Sequence, residues 1–263
     1  MTGSPKPGGM GDLPKRAVVG IILIAVAVTA LVAGGVAFWV LGSAMALLMM
    51  GEWADLAKVG ARDRQVAMFA LSVPLAILSP LAAGPSFFAL GLLAGAAFFV
   101  AIISRRAQLG GGVLYAGLPV AALLFLREQE SGLILAFWTL AIVWATDIGA
   151  YFTGRFVGGP KLAPAWSPSK TWSGLGGGMV AALLTGLTFH RWGGLPLGLA
   201  LASFALAAVA QGGDLYESIL KRRAGVKDSG TILPGHGGVM DRLDGVVPVA
   251  PMVALLVITE FML

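Results

Sequence analysis

The run AVVGIILIAVAVTALVAGGVAFWVLGSAMALLMM, from Ala17 to Met50, decides the fold class. It contains no charged residue and is far longer than the apolar core of a secretory signal peptide, which spans about 7 to 15 residues. A helix that crosses a hydrocarbon layer of roughly 30 Å needs about 20 residues. The run therefore predicts two membrane-spanning helices, with a turn near Gly34 and Gly35.

Similar apolar runs recur along the rest of the chain. Hydrophobic residues make up 57% of the 263 residues, charged residues only 12%, and the mean hydropathy is +0.87. A water-soluble domain of this size could not bury so much apolar surface. We predict an all-α fold, a polytopic transmembrane helical bundle of about nine spans. The further runs are Val66 to Ala83, Phe87 to Ile103, Gly112 to Leu126, Gly132 to Tyr151, Gly174 to Phe189, Leu195 to Gly213 and Val246 to Met262.

Basic residues divide unequally between the alternate loops of this bundle. Of the 18 Lys and Arg residues, all except Arg127 and Arg191 fall on the side of the N-terminus. Because Lys and Arg concentrate in cytoplasmic loops, we predict a cytoplasmic N-terminus. The pI is about 9.8. Basic residues beside membrane helices set the orientation of the helices and contact anionic lipid, so this excess of positive charge does not indicate a nucleic-acid partner. The chain has no cysteine, which excludes disulfides and thiolate chemistry.

We divide the chain into three segments. Residues 1–14 are polar and rich in Gly and Pro, so we predict a disordered cytoplasmic tail. Residues 15–130 are predicted to form the N-terminal transmembrane helices. Residues 131–263 are predicted to form a transmembrane region that carries the candidate catalytic motifs on its cytoplasmic face.

The segment QGGDLYESILKRRAGVKDSGTILPGHGGVMDRLDG, from Gln211 to Gly245, is the most highly charged part of the chain. If the preceding helix continues, Glu217, Ser218 and Lys221 lie three, four and seven residues after Asp214 along one face, and Gly225 ends the helix. Asp241 and Asp244 then open the last span. Aspartate oxygens suit Mg²⁺, while lysines, arginines and glycine amides suit phosphate oxygens. This combination predicts a site for phosphoryl or nucleotidyl transfer at the membrane surface.

His236 lies between glycines in the loop from Ser229 to Gly238. It could donate a hydrogen bond to a phosphate, transfer a proton or bind the backbone. We favour a substrate or structural role over metal ligation, because no second histidine or cysteine lies at ligand spacing. The other histidine, His190, is expected in the interfacial belt.

A companion segment precedes this one. TDIGAYFTGR, from Thr146 to Arg155, places Asp147 near the end of a span, where a carboxylate is costly unless it has a cationic or metal partner. SPSKTWSGLGGG, from Ser167 to Gly178, offers hydroxyls and the Lys170 ammonium ahead of a glycine-rich helix start, a pattern typical of an anion site.

From Ser218 to Asp244 the sequence resembles the signature of the phosphatidate cytidylyltransferases, also called CDP-diacylglycerol synthases. The TDIGAYFTGR and SPSKTW segments resemble the accompanying motifs of that family. Ser173 is a departure, because many members carry Glu or Gln after the KTW-like triplet. The matching positions are Ser218, Lys221, Arg222, Lys227, Asp228, Gly230, Pro234, His236, Gly237, Gly238, Asp241, Arg242 and Asp244.

The resemblance implies a reaction in which CTP and phosphatidic acid give CDP-diacylglycerol and pyrophosphate, with Mg²⁺ and a second cation such as K⁺ nearby. It implies Asp214 and Asp241 as metal ligands. It also implies a homodimer and a location in the bacterial inner membrane, with the active site cytoplasmic. The catalytic residues expected on this basis are Asp214, Asp241, Asp244, Lys221 and His236. The expected substrate-binding residues are Asp147, Lys170, Ser218, Arg222, Lys227, Arg242, Gly237 and Gly238.

Two other functions fit a polytopic chain with acidic residues. A cation-coupled secondary transporter would use Asp147, Asp214 and Asp241 for an ion, although these residues crowd towards one membrane face. Another membrane lipid phosphotransferase is the second alternative. The closely spaced aspartates of the CDP-alcohol phosphotransferases are not found here.

Overall fold

The computed structural model describes residues 12–232 and 237–262, with side chains described for residues 20–232 and 237–259. The fold of these residues is all-α, with one short hairpin. The helices are α1 (Asp12–Ala33), α2 (Gly35–Leu56), α3 (Ala61–Ile77), α4 (Phe87–Ser104), α5 (Ala107–Glu128), α6 (Gly132–Phe156), α7 (Trp172–Gly193), α8 (Leu197–Ala224), α9 (Met240–Leu243) and α10 (Val246–Met262). The strands are β1 (Lys161–Ala163) and β2 (Ser167–Thr171), which pair antiparallel.

Six of these helices, α2 and α4 to α8, are long and apolar enough to cross a membrane. Large apolar side chains also point outward, among them Phe87, which is 82% exposed, and Phe69, Phe98 and Trp192. A water-soluble surface rarely shows so many. The described helices therefore form a bundle suited to a lipid surrounding. Each predicted span overlaps one helix, α1 to α8 and α10, and the count of nine membrane spans stays a prediction.

Glycines end the helices where the sequence predicts. Gly34 and Gly35 have φ angles of 64° and 47°, and they form the turn between α1 and α2. Gly225 has a φ of 79° and ends α8, which continues past its apolar part through Asp214 to Ala224. Of the predicted N-terminal tail, residues 12–14 form the first turn of α1, and residues 1–11 lie outside the described residues.

The third run begins and ends earlier than predicted. Helix α3 starts at Ala61 and stops at Ile77, although the apolar run was expected over Val66 to Ala83. Residues after Leu78 turn away, and the Ser79 hydroxyl accepts a hydrogen bond from the amide of Leu81. The difference arises because Arg62, Asp63 and Arg64 are polar but favour helix, while Ser79 and Pro80 favour a turn.

Helix α5 occupies the centre of the bundle and packs against α2, α3, α4, α6 and α10. One hydrophobic cluster is built mainly from α1 to α5, and a second mainly from α5 to α8 and α10. The predicted boundary near residue 130 stays a prediction, since α5 contributes to both clusters. The pairs α6 with α7, α7 with α8 and α8 with α10 bring the polar ends of these helices together.

Candidate active site

One face of α8 carries the polar residues that the sequence predicts. Gln211, Asp214, Ser218 and Lys221 follow each other at spacings of three and four residues, which places them along one side of a helix with 3.6 residues per turn. The Ser218 hydroxyl donates to Asp214 Oδ1 at 3.4 Å. The helix therefore presents a carboxylate, a hydroxyl and an ammonium in a row at one end of the bundle.

The segment after α8 folds back so that Asp241 meets Lys221. The Lys221 ammonium lies 2.6 Å from Asp241 Oδ1. Asp241 Oδ2 accepts hydrogen bonds from the amides of Ser229 and Gly238, each at 2.8 Å, and from the Ser229 hydroxyl at 2.9 Å. Burial raises the pKa of Asp241, but the bonds from Lys221, Gly238 and Ser229 outweigh burial and lower it to about 2. Asp241 is therefore a carboxylate at neutral pH.

Asp244 lies one helical turn further on, beside Asp214. Its backbone carbonyl packs so closely on Gly213 that a Cβ at that position would overlap the oxygen. The amide of Gly245 donates to Asp244 Oδ1 at 2.7 Å. Burial and the charge of Asp214 raise the pKa of Asp244 to about 7, against the opposing effect of the Gly245 amide. The two carboxylates thus repel one another in a setting that lacks enough positive charge.

The companion segment completes the site on the same face of α8. Strand β2 brings Lys170 to Asp214, with which it forms an ion pair. The Lys170 ammonium also donates to Gln211 Oε1 at 3.1 Å, and Gln211 Nε2 lies 3.5 Å from Asp147 Oδ1 on α6. We call Asp147, Lys170, Gln211 and Asp214 the Asp214 cluster.

The helix start predicted after Lys170 is observed as the start of α7. The Thr171 hydroxyl accepts a hydrogen bond from the amide of Gly174 at 3.0 Å and so caps this helix.

A polar cavity of about 550 Å³ opens onto the Asp214 cluster. Its walls come from α6, the hairpin, the start of α7 and α8. Three basic side chains line it, which suits a polyanion. The lining residues that carry charge or hydroxyl groups are Asp147, Tyr151, Arg155, Lys161, Ser169, Lys170, Thr171 and Asp214.

A second groove lies across α8 from this cavity. It consists of two adjoining cavities of about 290 and 460 Å³, which share Trp53, Gln108 and Tyr216. Tyr216 is two residues from Asp214, so the two side chains leave α8 on opposite sides. One end of the groove is lined by Leu114, Leu118 and Val247, and the other end by Lys58 and Arg223. It is apolar at one end and basic at the other, and we call it the α8 groove.

Several predicted substrate-binding residues lie at the edge of these clusters. Arg222 is exposed, and its guanidinium donates to the carbonyl of Val226 at 3.2 Å. Lys227 and Arg242 are also exposed. Gly237 has a φ of 80°, and the amide of Gly238 is engaged by Asp241. The roles of these residues stay predictions, and His236 lies outside the described residues.

The acidic residues suit a divalent ion that is shared with a substrate. Among the described residues, no group of three or more Asp, Glu, His or Cys side chains is placed to hold one ion. Mg²⁺ needs no such cage, because it keeps several waters and usually takes one or two carboxylates together with phosphate oxygens. In this arrangement a lysine ammonium occupies each predicted ligand, Lys170 on Asp214 and Lys221 on Asp241. Both carboxylates therefore already attract a cation.

Two buried glutamates complete the site and were not among the predicted site residues. Glu217 on α8 is fully buried, and Lys221 lies 3.1 Å from its Oε1 in an ion pair without hydrogen-bond geometry. Glu52 on α2 is only 2% exposed and contacts the segment before Asp241. The signal for Glu52 was a lone carboxylate directly after a long apolar run, where an acidic side chain is costly without partners.

Residues 14–259 match the family model described as the cytidylyltransferase family. The chain belongs to this family. It is 39% identical over 256 residues to a phosphatidate cytidylyltransferase of Brucella suis, covering 94% of this chain and 93% of that protein. It is 42% identical over 147 residues to a phosphatidate cytidylyltransferase of Bacillus subtilis, covering 54% and 55% of the two chains. A relative of the same name from Haemophilus influenzae is 43% identical over 134 residues, 48% of this chain and 46% of that protein.

The match with the cytidylyltransferase family confirms the resemblance recognised from the signature between Ser218 and Asp244. It extends that resemblance to the N-terminal half, where the sequence offered only apolar runs. Membership favours nucleotidyl transfer over the two alternatives, a secondary transporter and a phosphotransferase of another family.

Proposed function

We propose that this cytidylyltransferase family member is a phosphatidate cytidylyltransferase, which forms CDP-diacylglycerol and pyrophosphate from CTP and phosphatidic acid. One observation carries the proposal: acidic and basic residues from α6, β2, α8 and α9 converge at one end of an apolar bundle. The Asp214 cluster and the Lys221–Asp241 pair lie at that end. Such a site meets a nucleotide from water and a lipid headgroup from the membrane surface.

In the proposed reaction a phosphate oxygen of the lipid forms a bond to the α-phosphorus of CTP. The bond between the α-phosphorus and the bridging oxygen breaks, and pyrophosphate leaves with the electron pair. The attacking oxygen is already an anion, so no strong general base is required. The main task of the residues is to hold two polyanions in line and to reduce their repulsion.

Asp214 and Asp241 would hold Mg²⁺, with Asp244 as a supporting acid. When bound, the ion would supply positive charge to the phosphate oxygens and the leaving pyrophosphate. A K⁺ ion as second cation stays a prediction from the family resemblance. Lys170 and Lys221 now pair with the two aspartates, and each ammonium is within reach of an incoming phosphate at the same place. Polyanion binding would draw these lysines to the phosphates.

The two substrates would enter from opposite sides of α8, and their reacting phosphates would meet at the polar end of that helix. The polar cavity, with Arg155, Lys161 and Lys170 on its walls, suits the triphosphate of the nucleotide. The α8 groove suits a lipid, because its apolar end accepts an acyl chain and its basic end, with Lys58 and Arg223, attracts the lipid phosphate towards the polar end of α8.

The bundle would place this site on the cytoplasmic face of a bacterial inner membrane, with nine helices crossing. Contacts between distant helices support the alternation of helix directions. Near the end of α2, Glu52 contacts residues just before α9, at the end where α8 stops. At the end of α5, Arg127 donates to the carbonyls of Leu31 and Val32 near the end of α1. The ends of α2, α6 and α8 thus lie together on the proposed cytoplasmic side, where α10 begins. A homodimer stays a prediction.

The test is an assay of the purified full-length protein in detergent micelles that contain phosphatidic acid. With CTP and Mg²⁺ we expect release of pyrophosphate together with a lipid product that carries cytidine. ATP and GTP, and micelles of phosphatidylglycerol or phosphatidylethanolamine, should give little product. Pyrophosphate release that does not depend on phosphatidic acid would contradict the proposal.

A further inference from the structure

Glu52 joins the N-terminal half of the bundle to the segment that carries Asp241. Its Oε1 accepts a hydrogen bond from the amide of Val239 at 2.8 Å. Its Oε2 accepts one from the amide of Met240 at 2.8 Å and one from the Ser229 hydroxyl at 3.1 Å. A buried carboxylate that accepts several N–H and O–H groups forms strong, directional bonds. Glu52 therefore holds both ends of the stretch between Ser229 and Met240.

The Ser229 hydroxyl links Glu52 directly to Asp241. It lies 3.1 Å from Glu52 Oε2 and 2.9 Å from Asp241 Oδ2. A hydroxyl has one proton to donate, so the two carboxylates compete for it, and its position depends on both. The orientation of Asp241, and of Lys221 bound to it, is thus tied to a residue on α2.

The backbone around Glu52 leaves no space for a side chain at two glycines. A Cβ at Gly230 would lie 2.8 Å from Glu52 Oε1, and a Cβ at Gly238 would lie 2.6 Å from both carboxylate oxygens. These glycines let the chain wrap closely around the carboxylate. The segment is therefore built to receive a carboxylate at this position.

We propose that Glu52 is a positioning residue for the cytidylyl transfer, which acts through Ser229 and the amides of Val239 and Met240 to orient Asp241 and Lys221. The expected effect on kinetics rests on the proposed function. The contact of Glu52 with the segment from Ser229 to Met240 does not depend on that function. Glu52 does not touch the polar cavity, whose walls come from α6, the hairpin, α7 and α8. Its loss should therefore affect turnover and the Mg²⁺ requirement more than CTP binding.

Glu52→Gln in the full-length protein is the direct test. Glutamine keeps the size of the side chain, but an NH₂ group replaces one carboxylate oxygen. Both oxygens of Glu52 accept hydrogen bonds from buried donors, so at least one of these donors loses its acceptor. We expect kcat to fall about 10- to 100-fold, as is usual when groups that orient metal ligands are changed. The KM for CTP should stay within about twofold, and half-maximal activity should require more Mg²⁺. Glu52→Asp, which keeps the charge, should recover part of the turnover.

Leu71→Ala supplies the control for a loss of stability alone. Leu71 is fully buried on α3 and belongs to the cluster built from α1 to α5. This variant should lower the unfolding temperature without changing the Mg²⁺ concentration for half-maximal activity. The two variants are compared at an equal loss of unfolding temperature. If Glu52→Gln then lowers kcat no more than Leu71→Ala does, and its Mg²⁺ requirement is unchanged, the proposal is wrong.

Limited proteolysis tests the contact independently of activity. Lys227 is exposed beside Ser229, and trypsin should cleave after it faster in Glu52→Gln than in the unchanged protein or in Leu71→Ala. If the unchanged protein shows no cytidylyl transfer, the proposed function fails, and cleavage alone decides whether Glu52 holds the segment. Equal cleavage rates would overturn the proposal. If Glu52→Gln does not fold, Ser229→Ala takes its place, and an unchanged kcat in that variant would be equally decisive against it.

Discussion

Lys221 and Asp241, twenty positions apart, form an ion pair with 2.6 Å between Nζ and Oδ1. Lys221 comes from the last turns of α8 and Asp241 from α9, so the pair closes the polar segment into a loop. The same ammonium lies 3.1 Å from the buried Glu217. The single positive charge of Lys221 thus lies between two carboxylates, at the place where the family signature begins and ends, and balances one of them.

Gly213 and Gly212 form a matched pair for testing the packing of the site. A Cβ at Gly213 would overlap the carbonyl oxygen of Asp244, whereas a Cβ at Gly212 meets nothing within 4 Å. Gly213→Ala should destabilise the protein by about 1 to 3 kcal/mol and reduce activity, because the start of α10 must shift. Gly212→Ala should raise stability by about 0.5 to 1 kcal/mol, since alanine favours helix. Thermal unfolding and pyrophosphate release measure both.

Lys170 is expected to compete with Mg²⁺ for Asp214 and to bind phosphate once CTP arrives. Lys170→Met should therefore bind Mg²⁺ more tightly in the absence of substrate. It should also raise the KM for CTP roughly 10- to 100-fold, the effect of losing a charged hydrogen bond. Calorimetric titration with Mg²⁺ and steady-state kinetics measure the two effects.

Lys161→Met is the control for this prediction. Lys161 lines the same cavity but is not among the ion pairs formed by the described residues. It should change the KM for CTP without a change in Mg²⁺ affinity. Tighter Mg²⁺ binding in both variants would mean that net charge, and not the contact with Asp214, sets the affinity.

Arg155 and Arg223 should separate the two substrates. Both are exposed, near the end of α6 and of α8, but Arg155 lines the polar cavity and Arg223 lines the α8 groove. Arg155→Gln should raise the KM for CTP by about tenfold and leave the KM for phosphatidic acid unchanged. Arg223→Gln should do the reverse. If both variants affect the same substrate, the division across α8 is wrong.

Asp244 should make the stability of the metal-free protein depend on pH. Burial and Asp214 raise the pKa of Asp244 from its ordinary value of 3.8 to about 7. The stabilising effect of this raised pKa is complete below about pH 4 and is lost as the pH rises through about 7. With EDTA present, the unfolding temperature should therefore fall between pH 5.5 and pH 8, and Asp244→Asn should show a smaller fall. An equal fall in both proteins would contradict the assignment.

Much of the fold follows from hydrophobic runs and glycine positions. The run from Ala17 to Met50 contains the turn at Gly34 and Gly35, and α8 continues to the stop at Gly225. The hairpin of β1 and β2 was missed, because SPSKT shows no alternation of apolar and polar residues. The hairpin lies between α6 and α7 and pairs Lys161 with Thr171.

The candidate site was predicted in composition but not in its pairings. Spacing along a helix predicted that Asp214, Ser218 and Lys221 share a face. It could not predict that Lys170 would meet Asp214, since the two residues are 44 positions apart and the whole of α7 lies between them. Glu52 was missed for the same reason, because its partners Val239 and Met240 lie in the other half of the chain.

We propose that Asp214 and Asp241 serve one Mg²⁺-dependent cytidylyl transfer. The most direct measurement compares Mg²⁺-dependent pyrophosphate release from CTP and phosphatidic acid in Asp214→Asn, Asp241→Asn and Asp55→Asn. Asp55 is exposed and paired with Arg64, so its variant is the control. We predict that the first two variants stay folded and lose at least about a hundredfold in kcat, while Asp55→Asn keeps full activity. Activity in Asp214→Asn and Asp241→Asn equal to that of the unchanged protein would contradict the account.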